Sequence, residues 1–89
     1  MKEQANAQEI CTLAQLSRGT RALLYAIQGT ASESKHLLIM GLRPGSEITV
    51  LLGPDRRGLV LASAGTRIAL GREWLERIQV RQTPHSGRD

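Results

Sequence analysis

The sequence predicts a mainly β domain, a small closed or nearly closed barrel of about five short strands with one short helix inserted. Three observations carry this expectation. Short apolar-rich runs are divided by turn residues every roughly eight to twelve positions, the rhythm of small β barrels. The stretch His36-Leu-Leu-Ile-Met-Gly-Leu-Arg-Pro-Gly45 reads as a short helix, a stop and a redirected chain. The inventory of core residues is aliphatic, with no Phe, one Tyr and one Trp in 89 residues. A chain of this size buries only about 60–65% of its unfolded surface, which leaves no room for a deep enzymatic pocket.

The elements follow in order. Ile10–Leu13 is a short extended segment, and Leu16-Ser-Arg-Gly19 turns the chain. Thr20–Gln28 is a strand whose alternation breaks phase near Tyr25, which predicts a bend or bulge there. Ser32 is placed as N-cap of a helix over Glu33–Met40 that buries Leu37 and Leu38, with Met40 at its end. Gly41 suits the left-handed residue that ends a helix, and Pro44-Gly45 supplies a tight turn. The strand from Glu47 to Leu52 then sets Ile48, Val50 and Leu52 on one face. Gly53–Gly58 reads as a polar hairpin tip, Leu59–Ser63 and Thr66–Leu70 as strands joined by Ala64-Gly65. Gly71–Arg77 makes one helical turn carrying Trp74 and Leu75, before a last strand over Ile78–Val80. A helical turn before the final strand is the arrangement of SH3-like barrels. The ordered domain is expected over 10–81, between flexible segments at 1–9 and 82–89.

Composition narrows the function classes. Cys11 is the single cysteine, so neither an internal disulfide nor a cysteine-based metal knuckle can form. Met1–Glu9 lacks the apolar core of a signal peptide, and no apolar run approaches the roughly 20 residues that span a bilayer. The expectation is a cytoplasmic chain without membrane insertion. The formal charge is +4, and ten of the twelve cationic residues are arginine. They are interleaved with apolar residues, the pattern of solvated outer strand faces rather than of an anion-binding stripe.

Four pieces in order resemble the ferrous iron transport protein A (FeoA) family. Leu16-Ser-Arg-Gly19 is similar to its opening L-x-x-G, and His36–Gly45 to its helix, glycine and Pro-Gly corner, with His36 in place of the usual Arg. Gly65-Thr-Arg-Ile-Ala-Leu70 is similar to its hairpin return, and Glu73–Val80 to its closing turn and strand. The resemblance spans about residues 10–80. It implies an SH3-like barrel and a non-enzymatic accessory role in bacterial ferrous iron transport. The partner it implies is the cytoplasmic GTP-binding part of the FeoB-type membrane transporter. It also extends to the FeoA-like domain attached to some metal-dependent repressors, which gives an alternative: a stand-alone metal-responsive module. No DNA-binding helix-turn-helix is legible that would make the chain itself a repressor.

The residue-level candidates are few. Cys11, Glu33 and His36 are the candidate metal ligands, with His85 and Asp89 in the tail. Glu33 and His36 share a helix face, but a transition-metal site needs three or four convergent ligands. No cofactor is required; Fe²⁺ or another divalent transition metal is the ion such ligands would take. A site shared between chains would use the same residues and imply a weak homo-oligomer. Ser32-Glu-Ser-Lys35 has the S-x-x-K spacing of some acyl enzymes but none of their other motifs, and reads as a helix start. A basic nucleic-acid-binding barrel would need stacking aromatics that are scarce here, and Tyr25 and Trp74 alone cannot line a polyproline groove. A protein-docking surface remains, for which Leu42 and Arg43 at the helix corner and Arg56 and Arg57 at the hairpin tip are the candidates.

Overall fold

Alternation decides which side of each strand turns inward, and here it wraps one sheet around one aliphatic core. The computed structural model describes residues 10–82. Its strands are β1 (Ile10–Thr12), β2 (Arg21–Ile27), β3 (Glu47–Asp55), β4 (Gly58–Ser63), β5 (Thr66–Gly71) and β6 (Ile78–Gln82). They form a single sheet in the order β1-β6-β2-β3-β4-β5, antiparallel throughout. This is the expected SH3-like architecture, with β1 as a sixth strand on β6. The helix α1 (Ala31–Ile39) fills the connection between β2 and β3, and short 3₁₀ turns lie at Leu13–Gln15 and Arg72–Trp74. The last strand reaches Gln82, one residue past the expected domain edge. The terminal segments expected at 1–9 and beyond Gln82 lie outside the described residues, as do His85 and Asp89.

The inward rows interlock across strands. Val50 pairs with Leu61 and Leu61 with Ile68; Leu24 pairs with Val80. All of these are buried, together with Ala22, Ile48, Leu59, Leu70 and Ile78. Leu13 and Leu16 plug one end, and the Ala14 N–H donates to the Leu75 carbonyl at 3.0 Å, which ties the two 3₁₀ turns together. The buried Ser63 hydroxyl donates to the Glu47 carbonyl at 2.9 Å, so burial leaves no unmet donor. The Ala64-Gly65 turn has φ of 52° and 81°, the doubly left-handed geometry of a two-residue hairpin.

Four local expectations need correction. The helix begins earlier than Ser32 allows, because Thr30 is the N-cap. The Thr30 hydroxyl accepts the Glu33 N–H at 3.1 Å, and the Glu33 carboxylate accepts the Thr30 N–H at 2.9 Å, a reciprocal box that fixes the first turn. Leu38, expected inside, is half-exposed; Leu37 alone carries the core-facing side of α1. β3 continues through Gly53-Pro54 to Asp55, so the hairpin tip is only Arg56-Arg57. Proline is tolerated there because the ladder to β4 shifts register twice, between Val50 and Leu52 and again before Asp55. The first shift also reverses the alternation. Leu52 therefore points outward with 55% of its surface exposed, rather than inward beside Ile48 and Val50. The bend expected near Tyr25 is a register shift against β6 between Leu24 and Ala26.

Candidate functional site

The four candidate docking residues divide between two places. Leu42 is not on the surface at all: its exposure is 0%. The reason is the way α1 ends. Gly41, with φ of 99°, donates its N–H to the Leu38 carbonyl, and the Leu42 N–H reaches back to the Leu37 carbonyl, both at 2.9 Å. This Schellman arrangement folds the residue after the glycine back over the last turn, where Leu42 joins Leu37 in the core. Arg43 does stay exposed. Its N–H donates to the Ser46 hydroxyl at 3.1 Å, which holds the corner.

Arg56 and Arg57 sit at the other end of β3, a strand of nine residues or roughly 30 Å at the usual rise. Arg43 and the Arg56–Arg57 pair therefore belong to different surfaces. Both tip arginines are exposed. The Arg57 N–H donates to the Asp55 carboxylate at 2.8 Å, so the turn is braced by its own side chain. Beside it runs a groove of about 440 Å³ lined by residues that include Leu52, Asp55, Arg57, Val60 and Ala69. Leu52 pairs with Val60 and Val60 with Ala69, which makes one apolar row across three strands on the outer face. Gly58 and Gly71 face each other at its end. A Cβ on Gly58 would collide with the Leu70 carbonyl oxygen, so only glycine permits this approach of strands. The result is a shallow, mostly apolar trough with Arg57 and Asp55 on its lining and exposed Arg56 next to them in the turn. Arg57 was legible as a candidate; the trough was not, because Leu52 turns outward only through the register shift.

The candidate metal ligands do not converge. Cys11 lies on β1, half-buried, with the Gln82 amide 4.0 Å from its sulfur. Glu33 is already engaged. One carboxylate oxygen accepts the Thr30 N–H, and the other meets Arg77 at 3.0 Å. The Thr30 N–H first, and then Arg77, hold its carboxyl below the usual glutamate range. His36 is exposed on the same helix. Among the described residues no three His, Cys, Asp or Glu side chains gather where they could hold a metal ion. Ser32 and Lys35 of the S-x-x-K spacing are both exposed on α1.

A second, smaller groove is not legible in the sequence. It has about 220 Å³ and is lined by Leu23, Leu24, Tyr25, Pro44, Gly45 and Arg81. The Arg81 guanidinium lies 5.3 Å from the Tyr25 ring centre, a cation–π contact. The phase break at Tyr25 signals a bend in the strand there, and no more than that. The ring's partner Arg81 lies far along the chain and becomes visible only through the β2–β6 register. Trp74, partly buried against the core, is covered by Arg77 at 5.6 Å.

Comparison with known proteins gives a consistent picture. The family model described as FeoA domain matches residues 11–82. A crystal structure described as iron uptake regulatory protein (FeoA) superposes with a TM-score of 0.77 at 27% identity, covering 83% of this chain and 99% of that one. The solution structure of the FeoA protein from Chlorobium tepidum superposes at 0.72 with 21% identity, over 85% and 73% of the two chains. A manganese-dependent transcriptional repressor shares the fold, with a TM-score of 0.76 at 17% identity; 84% of this chain is matched but only 42% of the repressor. No curated protein matches the chain in sequence.

Proposed function

The chain belongs to the FeoA domain family, which implies a part in ferrous iron transport, and from that premise we propose that it is a non-enzymatic accessory protein of the transport system. It acts on the cytoplasmic side, by contact with the GTP-binding part of the FeoB-type transporter. The family match over residues 11–82 is the observation that carries this reading. The geometry supports a docking role in kind. A rigid hairpin presents Arg56 and Arg57 beside an apolar trough walled by Leu52, Val60 and Ala69. Such a surface suits a partner segment with an apolar residue flanked by carboxylates, since a planar guanidinium pairs with a carboxylate through two hydrogen bonds. Among the described residues, no helix is long and apolar enough to cross a membrane.

The test is capture from solubilised membranes with the full chain as bait. The expected result is recovery of the FeoB-type transporter, reduced strongly by the double change Arg56→Glu and Arg57→Glu and not by Arg43→Glu. Failure to recover the transporter with the unaltered chain counts against the reading. The alternative, a stand-alone metal-responsive module, has only the likeness of fold to the repressor behind it. Anaerobic titration with Fe²⁺, Mn²⁺ or Zn²⁺ separates the two, because only that alternative predicts stoichiometric binding lost on His36→Ala.

A further inference from the structure

The most exposed large apolar side chain among the described residues is Ile39, at 78%, and its neighbour Leu38 is exposed at 48%. A nine-residue helix on a thin domain has one apolar face to spend on the core, and Leu37 and Leu42 already fill that role. Ile39 and Leu38 are therefore surplus to the fold and stand on the outer side of the last turn of α1. Their charged neighbours along the chain from Ser34 to Ser46 are of one sign. Lys35 lies three and four residues before them on the helix, so it flanks both, and His36 flanks Ile39. Arg43 is exposed just beyond the helix stop, and Leu38 also precedes Met40, which is only partly buried. Residues 34–46 contain no Asp or Glu. The acids that bracket this stretch are Glu33, already paired with Arg77, and Glu47, at the start of β3.

We propose that the C-terminal end of α1 is a membrane-contact site, with Leu38 and Ile39 entering the interface of an anionic bilayer while Lys35 and Arg43 pair with its headgroups. Exposed aliphatic residues in a stretch that carries cations and no acids are the chemistry that anionic lipid surfaces select. A neutral or acidic rim would favour another partner. Two inserted side chains make a weak, reversible contact, suited to orienting the domain on a membrane rather than anchoring it. The inference does not rest on the transporter reading, because the membrane alone is the ligand.

The experiment is co-sedimentation of the full chain with protein-free vesicles of phosphatidylcholine, with and without phosphatidylglycerol, at low and physiological salt. Binding to the anionic vesicles, weakened by salt and absent on the zwitterionic ones, is expected. Ile39→Ser lowers the affinity roughly tenfold, the effect of withdrawing one partly inserted aliphatic side chain. Lys35→Glu lowers it more than the roughly fivefold assigned to one basic residue near such a surface, and flattens the salt dependence. Ile39 is too exposed for its loss to unfold the domain, which circular dichroism verifies. Equal binding to both vesicle types, or none, overturns the proposal, as does an Ile39→Ser chain that binds like the original. Self-association or transporter capture abolished by Ile39→Ser without any vesicle binding also overturns it, and gives the patch to a second copy or to a protein.

Discussion

Replacing Leu42 with alanine separates folding from docking at the corner after α1. Leu42 is fully buried, and its backbone N–H completes the helix stop by bonding to the Leu37 carbonyl at 2.9 Å. The alanine variant keeps that hydrogen bond and removes the side chain, leaving a cavity in a core that has fifteen buried aliphatic residues among those described. Buried leucine-to-alanine changes cost about 2.7–5 kcal/mol, and a corner pinned by a hydrogen bond and a tight turn cannot collapse to refill the space, so the upper part of that range applies. Against a total stability of about 5–15 kcal/mol this is a large fraction. At about 4–8 °C per kcal/mol for a domain of this size, a loss of about 4–5 kcal/mol lowers the melting midpoint by about 16–40 °C. Urea unfolding followed by circular dichroism measures the free-energy loss and a thermal scan the midpoint, with an unchanged urea slope showing that the folded state keeps its extent. Arg43→Ala, one residue on, changes stability by no more than about 0.5 kcal/mol, because its side chain is solvated. A Leu42→Ala loss below about 1 kcal/mol would refute the packing argument and return Leu42 to the surface.

Other expectations follow from single contacts. Ala64 holds φ of 52° in the β4–β5 turn, a conformation that asparagine tolerates better. Ala64→Asn raises stability by about 0.5–1 kcal/mol, read as a higher melting midpoint. Glu33 has its carboxyl pKa lowered in the folded state, so its contribution is present above the ordinary glutamate value and is lost as pH falls through the lowered one. The stability gap between the original chain and Glu33→Gln is therefore open at neutral pH and closes in acid; a gap that persists at pH below the carboxylate range would contradict this. Because Glu33 and Arg77 are both partly exposed, added salt narrows the same gap.

Much of the fold is legible in local chemistry, and the parts that are not share a cause. The stop at Gly41, the hairpin at Ala64-Gly65 and the bend at Tyr25 are each dictated by a few adjacent residues, and each appears where those residues place it. Leu42 is misread because a leucine after a helix-ending glycine looks like the start of a loop; its burial depends on the chain folding back over Leu37. Leu52 is misread because alternation is a rule about regular ladders, and the register shift after Val50 is specified jointly by β3 and β4. Thr30 rather than Ser32 caps the helix because the reciprocal box takes a Glu or Gln three residues on, and Glu33 answers Thr30 whereas Lys35 follows Ser32. At the candidate site, Arg56 and Arg57 are legible as an exposed turn, whereas the trough beside them and the Tyr25–Arg81 contact arise from pairings between distant strands.

The docking role proposed for the Arg56–Arg57 hairpin against the FeoB-type transporter is open to direct measurement. Its most direct measurement is equilibrium binding of the purified full chain to the purified FeoB-type transporter in detergent, in each nucleotide state and at increasing salt. Saturable binding that weakens with salt and drops at least tenfold in the Arg56→Glu, Arg57→Glu variant is the predicted result. Absence of binding in every nucleotide state, or binding indifferent to both arginines, would contradict it.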